Sequence, residues 1–89
     1  MSETGSQDAV ERWVISACRE LSLPVESADD DFFDAGGTSL AVVRLIAQAE
    51  AEFGPEVLPP EELAEHSTAG GIAAVIRSSL ASAAGTPKA

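Results

Sequence analysis

"DDDFFDAGGTSLAVVRL", Asp29 to Leu45, places two aromatics and two glycines ahead of Ser39. A helix-like apolar pattern begins immediately behind that serine. At about 100° per residue, Val42, Leu45, Ile46, Ala49 and Phe53 gather on the side opposite Ser39 and form a core face. Leu40, Val43 and Ala47 fall back around Ser39, together with Arg44. The spacing predicts a helix over 39–53, stopped by Gly54-Pro55. An ordinary surface helix carries charge on its outward face. Here a second, smaller apolar stripe surrounds the serine, which marks either a docking surface or a helix buried on both sides.

Gly36 and Gly37 allow a sharp turn and leave the approach to Ser39 uncluttered. A helix N-terminus offers unpaired N–H groups and a positive dipole end, a setting that suits a phosphate on or near the serine oxygen. "GGTS" alone fits a plain helix cap equally, because serine and threonine commonly cap helices after a glycine turn.

Outward from this stretch, the rest reads as helix. Val10, Trp13, Val14, Ala17, Cys18 and Leu21 recur at steps of three and four. They predict a first helix from Asp8, with Ser6 as its cap and Met1 to Gln7 as a frayed end. Ser22 to Gly37 is a long connection whose Leu23, Val25, Phe32 and Phe33 tie it to the core. Pro59-Pro60 opens about one helical turn ending near His66. Thr68 caps a last helix with Ile72, Val75, Ile76 and Leu80 on its buried face. Gly70 and Gly71 either weaken its first turn or permit close approach of another helix. No segment alternates like a strand. The expected architecture is all-α: a small four-helix bundle of three longer helices and one short one, with a long loop between the first two. The 89 residues form one domain, with a folded core of about 8–81 and frayed tails.

Fifteen acidic residues against five basic give a formal net charge of −10. Such a chain repels phosphate backbones and anionic membranes, so nucleic acid and membrane are not expected partners. The polar, acidic stretch Met1 to Val10 lacks the basic and apolar regions of a signal peptide, and the apolar run around Val42 is far too short to span a bilayer. A soluble, cytoplasmic monomer is expected. The single cysteine, Cys18, allows no internal disulfide and reads as a buried, inert thiol. His66 has no cysteine or second histidine spaced for metal, so it reads as a capping or surface residue and no metal site is expected. Ser39 and His66 make no catalytic pair, and no nucleophile-elbow pattern surrounds Ser39. Asp29 to Asp31 lacks the alternation and the distal glutamate of a calcium loop, and reads as a solvated run. Trp13 reads as core.

The longer string "DDDFFDAGGTSL" resembles the phosphopantetheine attachment motif of carrier proteins. Its acid-Phe-Phe-x-x-Gly-Gly-x-Ser-Leu form is most similar to the peptidyl carrier (thiolation) domains of nonribosomal peptide synthesis. The resemblance covers nearly the whole chain, through "LPPEEL" and "TAGGIAAVI". It implies a right-handed four-helix bundle in the acyl carrier protein-like manner. It implies 4'-phosphopantetheine, moved from coenzyme A onto the Ser39 hydroxyl by a phosphopantetheinyl transferase that holds magnesium. The terminal thiol of that arm would carry aminoacyl or peptidyl groups as thioesters, in antibiotic or related natural-product biosynthesis. An adenylation enzyme and condensation or tailoring enzymes are the implied partners, and the chain itself is implied to be no enzyme.

By the same resemblance Gly36, Gly37 and Thr38 frame the attachment site. Phe33, with Phe32 as a second candidate, anchors the loop in the core, and Asp34 has no chemical role. Leu40, Val43, Arg44 and Ala47 meet partner enzymes. Arg44 either pairs with an acidic group there or solvates the face. Acyl carriers of fatty-acid and polyketide type usually place aspartate before the serine and a single glycine ahead of it. Gly36-Gly37-Thr38 therefore favours an aminoacyl or peptidyl cargo. The start at Met1 suggests a free-standing carrier. The alternatives are an acyl or aryl carrier of a polyketide-type pathway and an unmodified helical interaction domain.

Overall fold

Four helices follow one another in the computed structural model, which describes residues 5–85, with side chains for residues 9–82: α1 (Gly5–Glu20), α2 (Ser39–Phe53), α3 (Pro60–Glu65) and α4 (Ala69–Gly85). The all-α, four-helix expectation holds. Among the described residues the one β-type pairing is an isolated bridge between Asp31 and Thr68. α1 packs most extensively on α4, while α2 leans on α1 and the short α3 on α4.

The 3.6-residue period decides which faces are buried. Val10, Val14, Ala17 and Cys18 of α1 meet Ile72, Ala73 and Ile76 of α4 in one core, to which α2 contributes Leu45 and Ala49 and α3 contributes Leu63. Trp13 packs edge-on against Phe53, centroids 5.1 Å apart, and ties α1 to the C-terminal end of α2. Gly54, at φ 129°, ends α2, and its N–H donates to the Glu50 carbonyl. Burial pushes the Cys18 thiol up to about 11, so it is an inert filler of the core.

Two boundaries differ from the sequence expectation. α1 begins at Gly5, which puts Ser6 inside the first turn rather than at the cap, with its side chain outside those described. α4 continues past Ala81 to Gly85, because "SAA" is a good helix former even without an apolar anchor.

The long loop is held chiefly by the start of α4. Asp30 and Ala28 carbonyls accept from the Ala69 and Gly70 amides, both at 2.9 Å, and the Phe32 amide donates to the Ser67 carbonyl at 2.7 Å. A Cβ on Gly70 would sit 3.2 Å from that of Ala28, so this glycine admits the loop rather than a helix. Thr68 Oγ1 accepts from the Gly71 amide at 3.0 Å, and the Thr68 carbonyl accepts from Ile72. All four first-turn amides of α4 are thereby satisfied within the fold.

Candidate functional site

The turn before α2 is built on Phe32, which is fully buried. Its carbonyl accepts from the Gly37 amide at 2.9 Å, and the Phe33 carbonyl accepts from Gly36 at 3.0 Å. Gly36 has φ 110°, a conformation side chains rarely adopt. Gly37 serves by size. A Cβ there would lie 2.5 Å from Cδ2 of Phe32 and 2.8 Å from its carbonyl oxygen. The two glycines thus do different work: one turns the chain and the other lets it pass against an aromatic ring.

Thr38 is the N-cap of α2, its Oγ1 accepting from the Ala41 amide at 3.2 Å and its carbonyl from Val42 at 2.9 Å. The plain-cap role therefore falls to Thr38 and not to its neighbour. Ser39 is exposed at the first helical position, and its hydroxyl makes no hydrogen bond among the described residues. The Ser39 and Leu40 amides have no acceptor there either, in contrast to the satisfied start of α4. No acidic side chain stands in the first turn of α2. A free hydroxyl, two open amides and a helix dipole converge at one exposed point.

The outward face of α2 is as the period predicts. Leu40, Val43, Arg44 and Ala47 are exposed, and Leu45 and Ala49 are buried. Phe33 departs from expectation: it is 41% exposed, whereas Phe32 takes the core position alone. The bridge to Ser67 and Thr68 fixes which of the two neighbours faces inward, and Phe33 is left to pack edge-on against Phe32 at 5.2 Å.

The acid run is also more than a solvated stretch. Asp31 Oδ1 accepts from the Phe33 and Asp34 amides at 2.8 and 3.1 Å, and the Ser67 hydroxyl donates to Oδ2 at 2.6 Å. The Ser67 bond first, then the Asp34 amide, holds the Asp31 carboxyl below the usual carboxylate range; burial opposes them, and the Phe33 amide adds least. Asp30 Oδ2 accepts from Glu26 and Ser27 amides. The legible signal is aspartate at the start of a turn, where its side chain reaches amides two and three residues on. His66 caps the C-terminal end of α3 and lies 3.7 Å from Glu62. Glu62, Glu65 and His66 can bring ligand atoms within 4.8 Å of one another, on open surface.

Two surface hollows lie away from the Ser39 side chain. The larger, about 960 Å³, lies around Phe53, Val57, Val75 and Leu80, near the opposite end of α2. The smaller, about 290 Å³, sits between Glu20 to Ser22 and Thr38, Leu40, Ala41 and Arg44. Ser39 lines neither of these two hollows and stands on the open surface.

The family model for the phosphopantetheine attachment site matches residues 14–76. The chain belongs to this family of carrier domains. Atromentin synthetase greA of Suillus grevillei is 37% identical to this carrier over 54 residues, which is 61% of this chain and 6% of the synthetase. The carrier thus spans a small part of the length of that curated relative. No solved structure matches it. Carrier domains of this family hold 4'-phosphopantetheine covalently. The residues present fit that group, since a phosphodiester to a side chain needs an exposed hydroxyl without a competing bond, and Ser39 offers one beside two open amides. Among the described residues no helix is long and apolar enough to cross a membrane.

Proposed function

We propose that Ser39 is the attachment point of 4'-phosphopantetheine and that this single domain carries aminoacyl or peptidyl groups for a biosynthetic synthetase. The observation that carries the reading is the division of labour at the start of α2: Thr38 caps the helix, so the Ser39 hydroxyl is released for chemistry. Ser39 Oγ attacks the phosphorus of coenzyme A that bears the pantetheine arm. The new O–P bond forms as the pyrophosphate P–O bond breaks. Adenosine 3',5'-bisphosphate leaves, and the hydroxyl proton passes to a base of the transferase, whose magnesium offsets the phosphate charge. The arm supplies a thiol that holds cargo as a thioester. Gly36, Gly37 and Thr38 shape and fix the tether point, and the carrier performs none of the cargo chemistry.

Leu40, Val43, Arg44 and Ala47 meet the partner enzymes: the transferase, an adenylation enzyme and condensation or tailoring enzymes. The Gly36-Gly37-Thr38 form of the motif supports a peptidyl rather than a simple acyl cargo, and similarity to part of a protein named a synthetase supports the setting. The cytoplasm, where coenzyme A is at hand, is the compartment this reading requires.

The test is intact mass after incubation with coenzyme A, magnesium and a broad-specificity transferase, beside Ser39→Ala. One added phosphopantetheine in the wild type alone is expected. A folded wild type that stays unmodified with two different transferases refutes the reading. Loading of the modified protein by an adenylating enzyme with amino acids, and not with acyl or aryl acids, tests the cargo.

A further inference from the structure

The larger hollow, about 960 Å³, takes no part in the site at Ser39. It lies between the C-terminal end of α2, the turn that follows, α3 and one side of α4. Phe53, Val75 and Leu80, all partly buried, form its apolar walls. α4 presents Gly71, Ala74, Ser78 and Ser82 to it, small residues at helical spacing that keep it open. The lining runs along α4 from Gly71 to Ser82, roughly 16 Å of helix. That length suits an elongated segment of chain rather than a compact small molecule.

The rim is acidic. Glu56 and Glu62 line the hollow together with His66. Glu50 stands beside Glu56, whose amide donates to its Oε2 at 3.3 Å, and a Glu65 carboxylate oxygen lies within 4.8 Å of Glu62 and His66 ligand atoms. Between Arg44 and Arg77 the chain carries six of its fifteen acidic residues and no lysine or arginine. Among the described residues none of these carboxylates pairs with a lysine or an arginine.

Glu56 has φ 64°, in the left-handed region that glycine and asparagine ordinarily fill. Its carboxylate makes no hydrogen bond or ion pair among the described residues. A strained backbone thus holds an unused carboxylate at the edge of the hollow, the kind of outlier that collects at ligand sites.

We infer that this hollow binds a short cationic, amphipathic segment of a partner protein, with its apolar side chains on Phe53, Val75 and Leu80 and its lysines or arginines against Glu56 and Glu62. Charge selects that occupant. Apolar walls alone accept any apolar segment, whereas an unpaired acidic rim repels acidic segments and attracts basic ones. Ser39 and Phe53 are the two ends of α2, roughly 21 Å apart. A segment held here leaves Ser39 uncovered, so the hollow is a second handle by which the domain is held while the serine end is in use. The inference does not rest on the Ser39 reading.

The test measures binding of a fluorescein-labelled leucine–lysine amphipathic peptide of about 15 residues, long enough to form a helix, to the full chain by fluorescence anisotropy. Saturable binding is expected, and none of a leucine–glutamate peptide. Ala74→Lys puts a cation at an exposed position inside the hollow and should weaken binding at least about tenfold. Ser16→Lys makes the same change of charge on an exposed part of α1 that lines neither hollow, and should stay within about twofold. Glu56→Gly should weaken binding about two- to fivefold without lowering thermal stability, because glycine relieves the positive φ. A saturating peptide should leave the rate of Ser39 modification unchanged. Equal losses in Ala74→Lys and Ser16→Lys, no saturable binding by the wild type, or a peptide that blocks Ser39 overturns the inference. Removal of residues 86–89 that tightens binding about tenfold gives the hollow to the chain's own end and overturns it too. So does a wild-type dimer that Ala74→Lys dissociates in sedimentation, which gives the hollow to a second copy. Failure of Ser39 modification with peptide binding intact refutes the Ser39 reading alone.

Discussion

Substituting Gly37 by alanine isolates the steric basis of the site. The added Cβ would lie 2.5 Å from Phe32 Cδ2 and 2.8 Å from the Phe32 carbonyl oxygen. Real Cβ atoms do not approach so closely, so something must shift. Phe32 is fully buried and has no empty side to move into. Forcing extra carbon into a packed core costs about 1–3 kcal/mol. Loosening the 2.9 Å bond from the Gly37 amide to the Phe32 carbonyl adds about 0.5–1.5 kcal/mol. Gly37→Ala should therefore destabilise the domain by about 2–3 kcal/mol, a fall in Tm of about 10–20 °C at this chain length.

Phe32→Leu removes Cε2 and can turn its remaining methyls aside, at about 1–2 kcal/mol of its own for the lost ring. If the clash with the ring is the cause, the double variant should be at least about 1 kcal/mol more stable than the sum of the singles predicts. Urea unfolding followed by far-UV circular dichroism, with common m-values, measures all four corners of the cycle. Gly37→Ala within about 0.5 kcal/mol of wild type, or strict additivity in the double variant, would refute the steric argument.

Thr38→Ala should cost about 1 kcal/mol by removing the cap on Ala41, while Thr38→Ser stays near wild type and both still accept phosphopantetheine at Ser39; chemical denaturation and intact mass check the two halves. Asp31→Asn should cost about 1–2 kcal/mol at neutral pH, from weaker acceptance of the Ser67 hydroxyl and the Phe33 and Asp34 amides. Because the folded carboxyl of Asp31 sits below its unfolded value of about 3.9, its contribution is complete above that value and is lost as pH falls through the folded pKa. Stability measured from pH 5 down to pH 2 should accordingly decline less steeply in Asp31→Asn than in wild type.

The second helix was legible in full, from Ser39 to the stop at Gly54, because a strong period and a glycine-proline break coincide there. The buried faces of α1 and α4 were legible for the same reason. Adjacent aromatics in a turn carry no period, so the sequence could not say which of Phe32 and Phe33 faces inward. That choice is made by pairing with Ser67 and Thr68, more than thirty residues away. Asp31 was misread as solvated for a related reason: its hydroxyl partner, Ser67, is distant in the chain, although its reach to the two following amides is a local signal. At the site, the motif singled out Ser39 without revealing that Thr38 takes the capping role.

The two capped N-termini show how so small a fold can hold the proposed tether point in one place. The amides that open α4 are consumed internally, by the loop carbonyls of Ala28 and Asp30 and by Thr68. That anchoring fixes the far side of the loop, and Asp31 and Phe32 carry the constraint forward to Gly36 and Gly37. The start of α2 then stands on a fixed support while the Ser39 and Leu40 amides and the serine hydroxyl remain open. A carrier needs this asymmetry, because a flexible arm is recognised well only if its base is presented in one orientation. The charge pattern follows the same division. Fifteen acids give the chain a field felt over about a Debye length, roughly 8–10 Å, which repels wrong surfaces at a distance. Close to Ser39, exposed Leu40 and Val43 interrupt that field, and Arg44 shares a surface hollow with Glu20.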